Sequence, residues 1–400
     1  MTQLIELTPL TDFFFGGEAT FGQDANRHYF VRSNLWPQQT SLLGMLRYEL
    51  LKSEPLAFDL VKDKITNKAA AAELIGLHGF DGITDEAFGI IEGLSPVFLL
   101  SPEGVPYFLR SQMFLKDSEK TCLEQTSKSE QNFREMNLLS NAQLVSKAGY
   151  QLMHSTKEKA TSQSYDGKSQ FEETLIALNG DILPLHFDAD AKDSKGIFVR
   201  VHKTGNRKEY DGSTDDSGFF KQDFFRLQTG WRFALLVEFN TEELPTAFGM
   251  NRSIQLGAER RTFRLKIGLP PTAPFADISF QQNHFAGFDA LYGADPDAMQ
   301  THLSQTTLLS DAQAESDIYG WTEFAISEAI NFRHLKTNMQ DPNTAWKQGS
   351  EPKSQRRQLL RRGSVFWSES PQDLESQLQK ATAFRRIGYN YFKTTQPQTI

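Results

Sequence analysis

The sequence predicts a protein of the α+β class with two domains, and three observations lead to this prediction. The chain has 400 residues, which is too long for one ordinary domain and suits two domains with insertions. Hydrophobic residues make up 39% of it and phenylalanine fills 32 positions, so there is enough apolar material for a sizeable core. Segments with the two-residue alternation of strands are interspersed with segments that have helical spacing.

The first domain is predicted to begin with a strand, a loop and a helix. Alternation over Gln3–Leu10 suits a first strand, and a loop then runs to about Pro37. A hydroxyl group at Thr40 or Ser41 would cap the helix, because leucines and a methionine follow at helical spacing. A strand, a loop and a helix in this order open a ferredoxin-like βαβ unit.

A β-hairpin and a polar insertion complete the first domain, which we place at residues 1–190. The apolar segments 96–100 and 105–109 predict the hairpin. From about residue 110 to residue 170 the chain is rich in Ser, Lys, Gln and Glu, which indicates an extended arm or a partly disordered loop. The acidic stretch 188–193 marks the passage to the second domain.

The second domain, residues 191–400, has alternating segments and two helical ones. An amphipathic helix is predicted over Thr322–Thr337, and Ser370 and Pro371 begin another that ends near Phe384. The predicted strands are Gly196–Val201, Phe219–Leu227, Trp231–Phe239, the later part of Ile254–Ile267, and Ser364–Trp367. The predicted architecture is therefore two tandem ferredoxin-like (RRM-like) domains, with a polar insertion in the first.

Composition favours a soluble cytoplasmic protein without a membrane partner. The first ten residues lack the basic start and apolar run of a signal peptide. No segment approaches the roughly 18 consecutive apolar residues of a transmembrane helix. Cys122 is the single cysteine, which excludes an internal disulfide and suits a reducing compartment.

The charge distribution says more about partners than the net charge does. A formal charge of −8 argues mildly against a free-standing nucleic-acid binder. Phosphates respond to local fields, however, and two clusters are basic. Such clusters suit either RNA or an acidic protein face. One is the acid-free segment Pro352–Arg362, and the other contains Arg252, Arg260, Arg261, Arg264 and Lys266 with Glu259 as its one acid.

The sequence indicates no catalytic centre, no metal site and no cofactor. Phosphate-loop, dinucleotide-binding, zinc-protease and nucleophile-elbow motifs are absent. The acidic stretch 188–193 does not have calcium-loop spacing, and we interpret it as a solvated linker. His28 beside Arg27 and Tyr29 is the best acid–base candidate, because such a group can move the 2′-hydroxyl proton in metal-free RNA cleavage. An isolated loop histidine is more often a simple polar contact.

Four segments are informative in combination. Gly44 inside a helix costs about 1 kcal/mol relative to alanine, which suits either close approach of another backbone or plain helix–sheet packing. Glycine and arginine near residue 257 suit a phosphate or a tight turn with an Arg–Glu salt bridge. The aromatic residues around Gly388 suit base stacking. The segments are Pro37–Arg47, Ser217–Val237, Leu256–Arg261, and Gly363–Val365 with Ile387–Tyr391.

The order of these segments resembles the RAMP superfamily of CRISPR proteins, and in particular the third subunit of type III-B (Cmr) effector complexes. The resemblance spans nearly the whole chain and is dense outside residues 110–190 and 270–350. It implies tandem ferredoxin-like domains whose glycine-rich loops hold guide RNA. One departure is the Gly-Gly-Glu-Arg-like turn, which reads Gly257-Ala258-Glu259-Arg260 here.

The resemblance also implies a function in antiviral defence. Such subunits are not nucleases, because target cleavage belongs to the backbone subunit. They clasp the repeat-derived 5′ handle of the guide RNA (crRNA) within a ribonucleoprotein. The implied protein partners are the large polymerase/cyclase-type subunit and the backbone RAMP subunits of the same complex.

The predicted RNA-binding residues fall into groups by their chemistry. Arginines would contact phosphates, glycines would admit the RNA backbone, aromatic rings would stack on bases, and amides would contact base edges. Trp36 suits a core position as well as a stacking one. The predicted set is Arg47, Arg252, Arg260 and Arg261 for phosphates, Gly257 and Gly388 for the backbone, Trp36, Tyr389 and Tyr391 for stacking, Asn34 and Gln39 for base edges, and Thr40 as a further contact.

Three alternatives remain open at this point. The chain could be a stand-alone RAMP endoribonuclease that matures guide precursors with His28 as its acid–base group. It could be the equivalent subunit of a type III-A or III-D complex. It could also be a protein-only scaffold whose basic clusters meet acidic partners.

Overall fold

A computed structural model describes the strands and helices of most of the chain. It describes residues 1–16, 30–111, 114–116, 133–140, 150–156, 159–164, 174–177, 181–187, 196–208, 214–248, 252–257, 259–271, 278–279, 284–285, 303–314, 317–335 and 354–395.

Strands outnumber helices in this part of the chain. The helices are α1 (Gln39–Ser53), α2 (Lys68–Ile75), α3 (Pro371–Gln379) and α4 (Thr382–Arg386), and a 3₁₀ turn covers Ile318–Trp321. The strands up to residue 187 are β1 (Thr2–Pro9), β2 (Phe30–Arg32), β3 (Phe58–Asp59), β4 (Lys64–Ile65), β5 (Ile91–Leu94), β6 (Phe98–Leu100), β7 (Pro106–Leu109), β8 (Phe114–Lys116), β9 (Phe133–Ser140), β10 (Tyr150–Thr156), β11 (Lys159–Ser164), β12 (Thr174–Ala177), β13 (Ile182–Pro184) and β14 (His186–Phe187). The later strands are β15 (Phe198–Lys208), β16 (Thr214–Leu227), β17 (Arg232–Phe239), β18 (Arg252–Leu256), β19 (Arg261–Gly268), β20 (Ile278–Ser279), β21 (His284–Phe285), β22 (Ser304–Leu308), β23 (Phe324–Ile326), β24 (Ala329–Phe332), β25 (Arg357–Leu360), β26 (Val365–Ser368) and β27 (Phe392–Thr395).

A large sheet forms the centre of the described structure. Its strand order is β13-β12-β7-β6-β17-β1-β19-β18, and β5 also pairs with β17. Strand β1 lies antiparallel between β17 and β19, with Ile5 opposite Leu235 on one side and Ile267 on the other. The alternation that predicted these strands is confirmed, because every second side chain of β17 from Phe233 to Phe239 lies in one core.

Helix α1 covers one face of this sheet. Leu42, Leu46 and Leu50 are fully buried and share a core with Ile5 and Leu235, as expected for residues at helical spacing. The predicted hydroxyl cap is wrong. The helix begins at Gln39 after Gln38, no side-chain capping bond is found at Gln38 within the described residues, and Thr40 lies inside the first turn.

A second set of strands lies at the C-terminal end of the chain. The order is β23-β26-β22-β27, and all pairings in it are antiparallel. Leu374 and Leu378 of α3 pack on Leu308 and Phe366 in a small core of their own. The opposite face of the large sheet meets this set, because Leu309 and Tyr391 pack on other large-sheet side chains, including Leu4 and Leu236.

Two helix predictions in the second half need correction. The helix predicted over Thr322–Thr337 is wrong, because the described part of this region holds the strands β23 and β24. Phe324 and Ile326 pair with Trp367 and Val365 of β26, so partners distant in sequence decide its conformation. The helix from Ser370 to Phe384 is present but is divided into α3 and α4.

The α+β class is confirmed, with sheets as its main component. The predicted polar insertion contains β8 to β11, which form a four-stranded antiparallel sheet. The large sheet includes strands from both sides of residue 190, and the division at that residue stays a prediction. In the part of the chain that is described, no helix is both long and apolar enough to cross a membrane.

Candidate nucleic-acid interface

The turn between β18 and β19 has its sharp geometry because Gly257 has a φ of +90° and Arg260 a φ of +47°. A Cβ at Gly257 would lie 2.4 Å from the carbonyl oxygen of Phe14, so glycine is required by the protein's own backbone there. The amide of Arg260 donates to the carbonyl oxygen of Gly257 at 3.2 Å. The side chain of Arg260 is exposed.

Two cations beside this turn share one aromatic ring. The guanidinium carbon of Arg261 lies 4.7 Å from the ring centroid of Phe224, and Nζ of Lys203 lies 4.2 Å from it. Both cations also contact the carboxylate of Asp12. Burial raises the pKa of Asp12, but Lys203 and Arg261 outweigh this effect and hold the pKa below its ordinary value. The ring and the carboxylate together fix the two cations in place.

Helix α1 presents an exposed face close to the same turn. Apart from its chain neighbours and the backbone of α1 itself, no heavy atom of the described residues lies within 4 Å of a Cβ built at Gly44. Neither the close backbone approach nor the helix–sheet packing considered for Gly44 is therefore found here. One turn later, Tyr48 is exposed and donates to the carboxylate of Asp63 at 2.7 Å.

The effect of Arg260 on the pKa of Tyr48 indicates that this face of α1 lies near the turn. The hydrogen bond to Asp63, together with burial, raises the pKa of Tyr48 to about 12, and the positive charge of Arg260 acts in the opposite direction. Arg260 therefore lies near the helix face. We call Gly44, Tyr48, Lys203, Arg260 and Arg261 the turn surface.

A cleft of 290 Å³ lies where α1 begins. One side of the Trp36 ring packs against Phe198 and Phe233 in edge-on geometry, with centroids 6.0 Å and 6.1 Å away. The guanidinium carbon of Arg362 lies 5.0 Å from the Trp36 centroid. Three of the predicted site residues, Asn34, Trp36 and Tyr389, come together in this cleft. Its other lining residues are Leu35, Pro37, Gln38, Leu109, Asp311, Glu328, Ile330, Asn331, Phe332, Leu359, Arg361 and Arg362.

Two arginines of the cleft form ion pairs, one largely buried and one with an exposed carboxylate. Nε of Arg362 lies 3.4 Å from the carboxylate of Asp311, and both side chains are largely buried. Nη1 of Arg361 lies 2.6 Å from Glu328, whose side chain is 52% exposed. Burial and the negative charge of Asp311 raise the pKa of Glu328. Both arginines belong to the basic segment Pro352–Arg362, but neither is among the site residues that the sequence predicts.

Several predicted RNA contacts lie in the interior. The amide nitrogen of Gln39 donates to the carbonyl oxygens of Ser95 at 2.8 Å and Ile387 at 2.7 Å. Tyr391 is fully buried, and Tyr389 packs against Phe332 and Phe384. Nε of Arg47 donates to the carbonyl oxygen of Ile75 at 2.9 Å, and burial lowers the pKa of Arg47 to about 10. Their RNA role stays a prediction, but each has a defined contact inside the protein.

The remaining predicted residues are placed only in part. Arg252 begins β18 opposite Leu265, and Thr40 is half-buried in the first turn of α1. His28 and the acidic stretch 188–193 lie outside the described residues. In the described ranges, no cluster of three or more His, Cys, Asp or Glu side chains could hold a metal ion.

Fold and site together define a sheet-rich α+β protein whose arginines lie against aromatic rings, and this arrangement suits single-stranded RNA. A family model described as "CRISPR-associated protein (Cas_Cmr3)" matches residues 5–279. Because this match covers more than half of the chain, the chain belongs to that CRISPR-associated family. The resemblance predicted from the sequence, to the third subunit of type III-B (Cmr) complexes, is thereby confirmed.

Solved structures provide further similarities. A chain in "Cryo-EM structure of the Type III-B Cmr-beta bound to cognate target RNA" has 10% identity and a TM-score of 0.46, over 99% of this chain and 98% of the other. A chain in the structure with target RNA and AMPPnP, state 1, has 9% identity and a TM-score of 0.46, over 99% of both chains. A chain in the apo-state structure has 14% identity and a TM-score of 0.27, over 67% of this chain and 97% of the other. No curated protein matches the chain.

Proposed function

We propose that this protein is a non-catalytic, cytoplasmic subunit of a type III-B effector complex and binds the repeat-derived 5′ handle of the guide RNA. In this proposal it also docks the large polymerase/cyclase-type subunit and the backbone RAMP subunits. Membership of the Cas_Cmr3 family supports the type of complex.

The turn surface is the observation that carries the RNA-binding part. Arg260 is exposed, and Arg261 and Lys203 are held beside it by the ring of Phe224. Guanidinium groups bind phosphate oxygens through charge-assisted hydrogen bonds. Gly44 and Tyr48 lie on the helix face near Arg260, so an RNA backbone can approach the helix closely there and a base can stack on the part of the Tyr48 ring that Lys52 and Phe58 leave exposed.

The order of the strands supports the predicted tandem ferredoxin-like units. Within the C-terminal set the chain order is β22, the 3₁₀ turn, β23, β26, the helices α3 and α4, and β27, with β22 and β26 at the centre and with β24 and β25 as a separate pair between β23 and β26. This is the β-α-β-β-α-β succession of ferredoxin-like units with a shortened first helix. In the large sheet, β1, α1, β6, β17 and β19 follow the same succession without a helix between β17 and β19 among the described residues. On this basis the first unit extends to about residue 268, beyond the boundary that the sequence predicts.

We assign different roles to the predicted site residues according to their contacts. Arg260 and Arg261 bind phosphates, with Lys203 as a further cation, while Asn34 and Trp36 offer an amide and a ring at the cleft. Arg252 remains a proposed phosphate contact because it begins the strand that leads to the turn. The buried members of the set, Gln39, Arg47, Gly388, Tyr389 and Tyr391, support the frame of the interface.

The test is the double variant Arg260→Ala with Arg261→Ala, purified in the complete effector complex. We expect less guide RNA to be retained, because two phosphate contacts are removed. The plot of log Kobs against log salt for single-stranded RNA has a negative slope, and it should become shallower by about 1.4, since each contact contributes about 0.7. The matched control is Lys68→Ala with Lys380→Ala, which removes two exposed charges elsewhere.

Two results would contradict the proposal. One is an unchanged RNA content and an unchanged salt slope in the double variant. The other is cleavage of the handle RNA by the purified wild-type chain, which would favour an endoribonuclease. A guide RNA without its handle should bind more weakly than one with it, in the presence of the large-subunit partner.

A further inference from the structure

A small sheet next to the large one carries a buried carboxylate surrounded by cations. Strands β15 and β16 form a long hairpin, and β2 joins it parallel to β16. Asp223 on β16 is 1% exposed. Its Oδ2 atom lies 3.6 Å from Nε of Arg32 and 3.9 Å from Nε of Arg200, and its Oδ1 atom lies 2.5 Å from Nδ1 of His202.

The strand register places these side chains on one face. Asp223 is directly opposite His202 on β15 and Arg32 on β2. Arg200 lies two residues before His202, and Lys221 two residues before Asp223, so both point to the same face. Nζ of Lys221 and the guanidinium carbon of Arg32 lie 5.5 Å and 5.9 Å from the ring centroid of Phe30. We call Arg32, Arg200, His202, Lys221 and Asp223 the Asp223 cluster.

The charges in the cluster do not balance. Arg32, Arg200 and Lys221 are three permanent cations, and Asp223 is one carboxylate, so the formal excess is two positive charges before His202 is considered. The side chains of Arg32 and His202 are each 53% exposed, while the carboxylate is shielded beneath them. The buried carboxylate therefore lies beside the Nε atoms of both arginines, and the side chain of Arg32 is exposed at the surface while that of Arg200 is 21% exposed.

This arrangement suits a phosphate group. A guanidinium whose orientation is fixed loses little freedom when its terminal nitrogens bind oxygen atoms, and paired guanidinium groups favour phosphate. An isolated surface cation without such support binds phosphate less specifically. The cluster therefore has the charge, the exposure and the fixed geometry of an anion site.

The cluster is also close along the chain to the cleft. Arg32 is followed after one residue by Asn34, and Trp36 is two residues further on, and both of these line the cleft. Four residues span at most about 14 Å even when fully extended. A single strand of RNA that passes the cleft can therefore place a neighbouring phosphate on the cluster.

We propose that the Asp223 cluster binds a backbone phosphate of single-stranded RNA, an inference that rests on the proposed RNA-binding function. The phosphate lies against Arg32 and Lys221 at the surface, with Arg200 behind them. Asp223 is a positioning residue, since it acts through the arginines. This site is separate from the turn surface, where Lys203 lies on the opposite face of the same strands.

The experiment measures binding of a labelled guide RNA to the full-length protein over a series of salt concentrations. The variant is Arg32→Gln with Lys221→Gln, which removes two charges and keeps polar side chains. We expect roughly tenfold weaker binding at low salt. The negative slope of log Kobs against log salt should become shallower by about 0.7, the value for one phosphate of a single strand. The control is Lys68→Gln with Lys380→Gln, for which we expect the wild-type slope.

A second variant keeps the test decisive if the double variant misfolds. Lys221→Gln alone leaves both arginine contacts to Asp223 in place and should still weaken binding. A wild-type slope in both folded variants would overturn the inference. Loss of partner-subunit binding with an unchanged RNA slope would also overturn it, because the cluster would then be a face for an acidic protein.

The design separates this inference from the proposed function. Handle binding is judged by comparing wild-type affinity for RNA with and without the handle. The cluster is judged by comparing variant and wild type on the same RNA. A handle preference together with an unchanged slope in the variants would reject the cluster and leave the proposed function in place. Absence of a handle preference with the large-subunit partner present would reject the proposed function, whatever the slopes show.

Discussion

At residue scale, Gly388 and Gly44 occupy opposite kinds of environment. Gly388 has a φ of +92°, and a Cβ there would lie 2.5 Å from the carbonyl oxygen of Ser95 and still closer to the amide of Gln39. Gly44 lies in the middle of α1 on its exposed side, where the described residues leave the space of a Cβ open. Packing requires glycine at position 388, whereas Gly44 makes helix α1 less stable than an alanine would.

The paired substitutions Gly388→Ala and Gly44→Ala test this difference. Gly388→Ala should lower the free energy of unfolding by about 2–5 kcal/mol, because left-handed backbone and overpacking both oppose a methyl group. Gly44→Ala should raise it by about 1 kcal/mol, the helix-propensity difference. Urea denaturation of the two variants beside wild type gives both values. A tolerated alanine at Gly388, or a destabilising one at Gly44, would contradict the packing described here.

The sequence marks both glycines but does not distinguish their roles. Gly388 is flanked by aromatic residues, and that pattern predicts an RNA contact as readily as a packing position. The partners that decide the matter, Gln39 and Ser95, are 349 and 293 residues away in the chain. Local sequence contains no information about such contacts, whereas the exposed Arg260 follows from its place in a glycine turn.

At element scale, Arg47 connects α1 to the end of α2. Its guanidinium donates to the carbonyl oxygens of Ile75 at 2.9 Å and Gly76 at 3.3 Å. The last carbonyl groups of a helix have no partner within the helix, so the arginine satisfies acceptors that would otherwise be buried and unpaired. The sequence predicts Arg47 as a phosphate contact, and the two roles give different results on substitution.

Arg47→Met keeps much of the side-chain volume and removes the donors. We expect it to lower the free energy of unfolding by about 2 kcal/mol, because buried carbonyl oxygens lose a charged partner. The salt slope of RNA binding should remain at the wild-type value. Urea denaturation and the RNA titration are measured on the same preparation. Wild-type stability together with a shallower salt slope of RNA binding would instead support Arg47 as a phosphate contact.

The success of sequence prediction for elements depends on where their partners lie. The strands β1 and β17 have strict alternation and were found close to their predicted limits. The segment 322–337 has apolar residues that fit a helix as well as strands. Its conformation is decided by β25 and β26, more than 20 residues further along the chain. The hydrophobic pattern of a segment does not show whether pairing with distant strands will override its local preference for helix.

At the scale of the whole molecule, Arg362 is one of several arginines that join the C-terminal part of the chain to the N-terminal part. Arg362, from the C-terminal part, lies over the Trp36 ring, pairs with Asp311 and donates to the carbonyl oxygen of Val97 at 3.5 Å. The cleft that the sequence did not predict exists because these parts meet. A cleft between distant segments depends on their relative placement, which composition and spacing do not specify.

The neighbours Arg362 and Arg361 provide the test of this junction, because each substitution to alanine removes one positive charge from the same turn. Arg362→Ala should cost about 3–5 kcal/mol of unfolding free energy, since it leaves the largely buried Asp311 without its guanidinium partner. Arg361→Ala should cost at most about 1 kcal/mol, because Glu328 is 52% exposed and water can replace the arginine. Thermal and urea unfolding of both variants provide the comparison. Equal losses would mean that the buried pair does not hold the two sets of strands together, and that the cleft depends on the apolar contacts of Leu309 and Tyr391 instead.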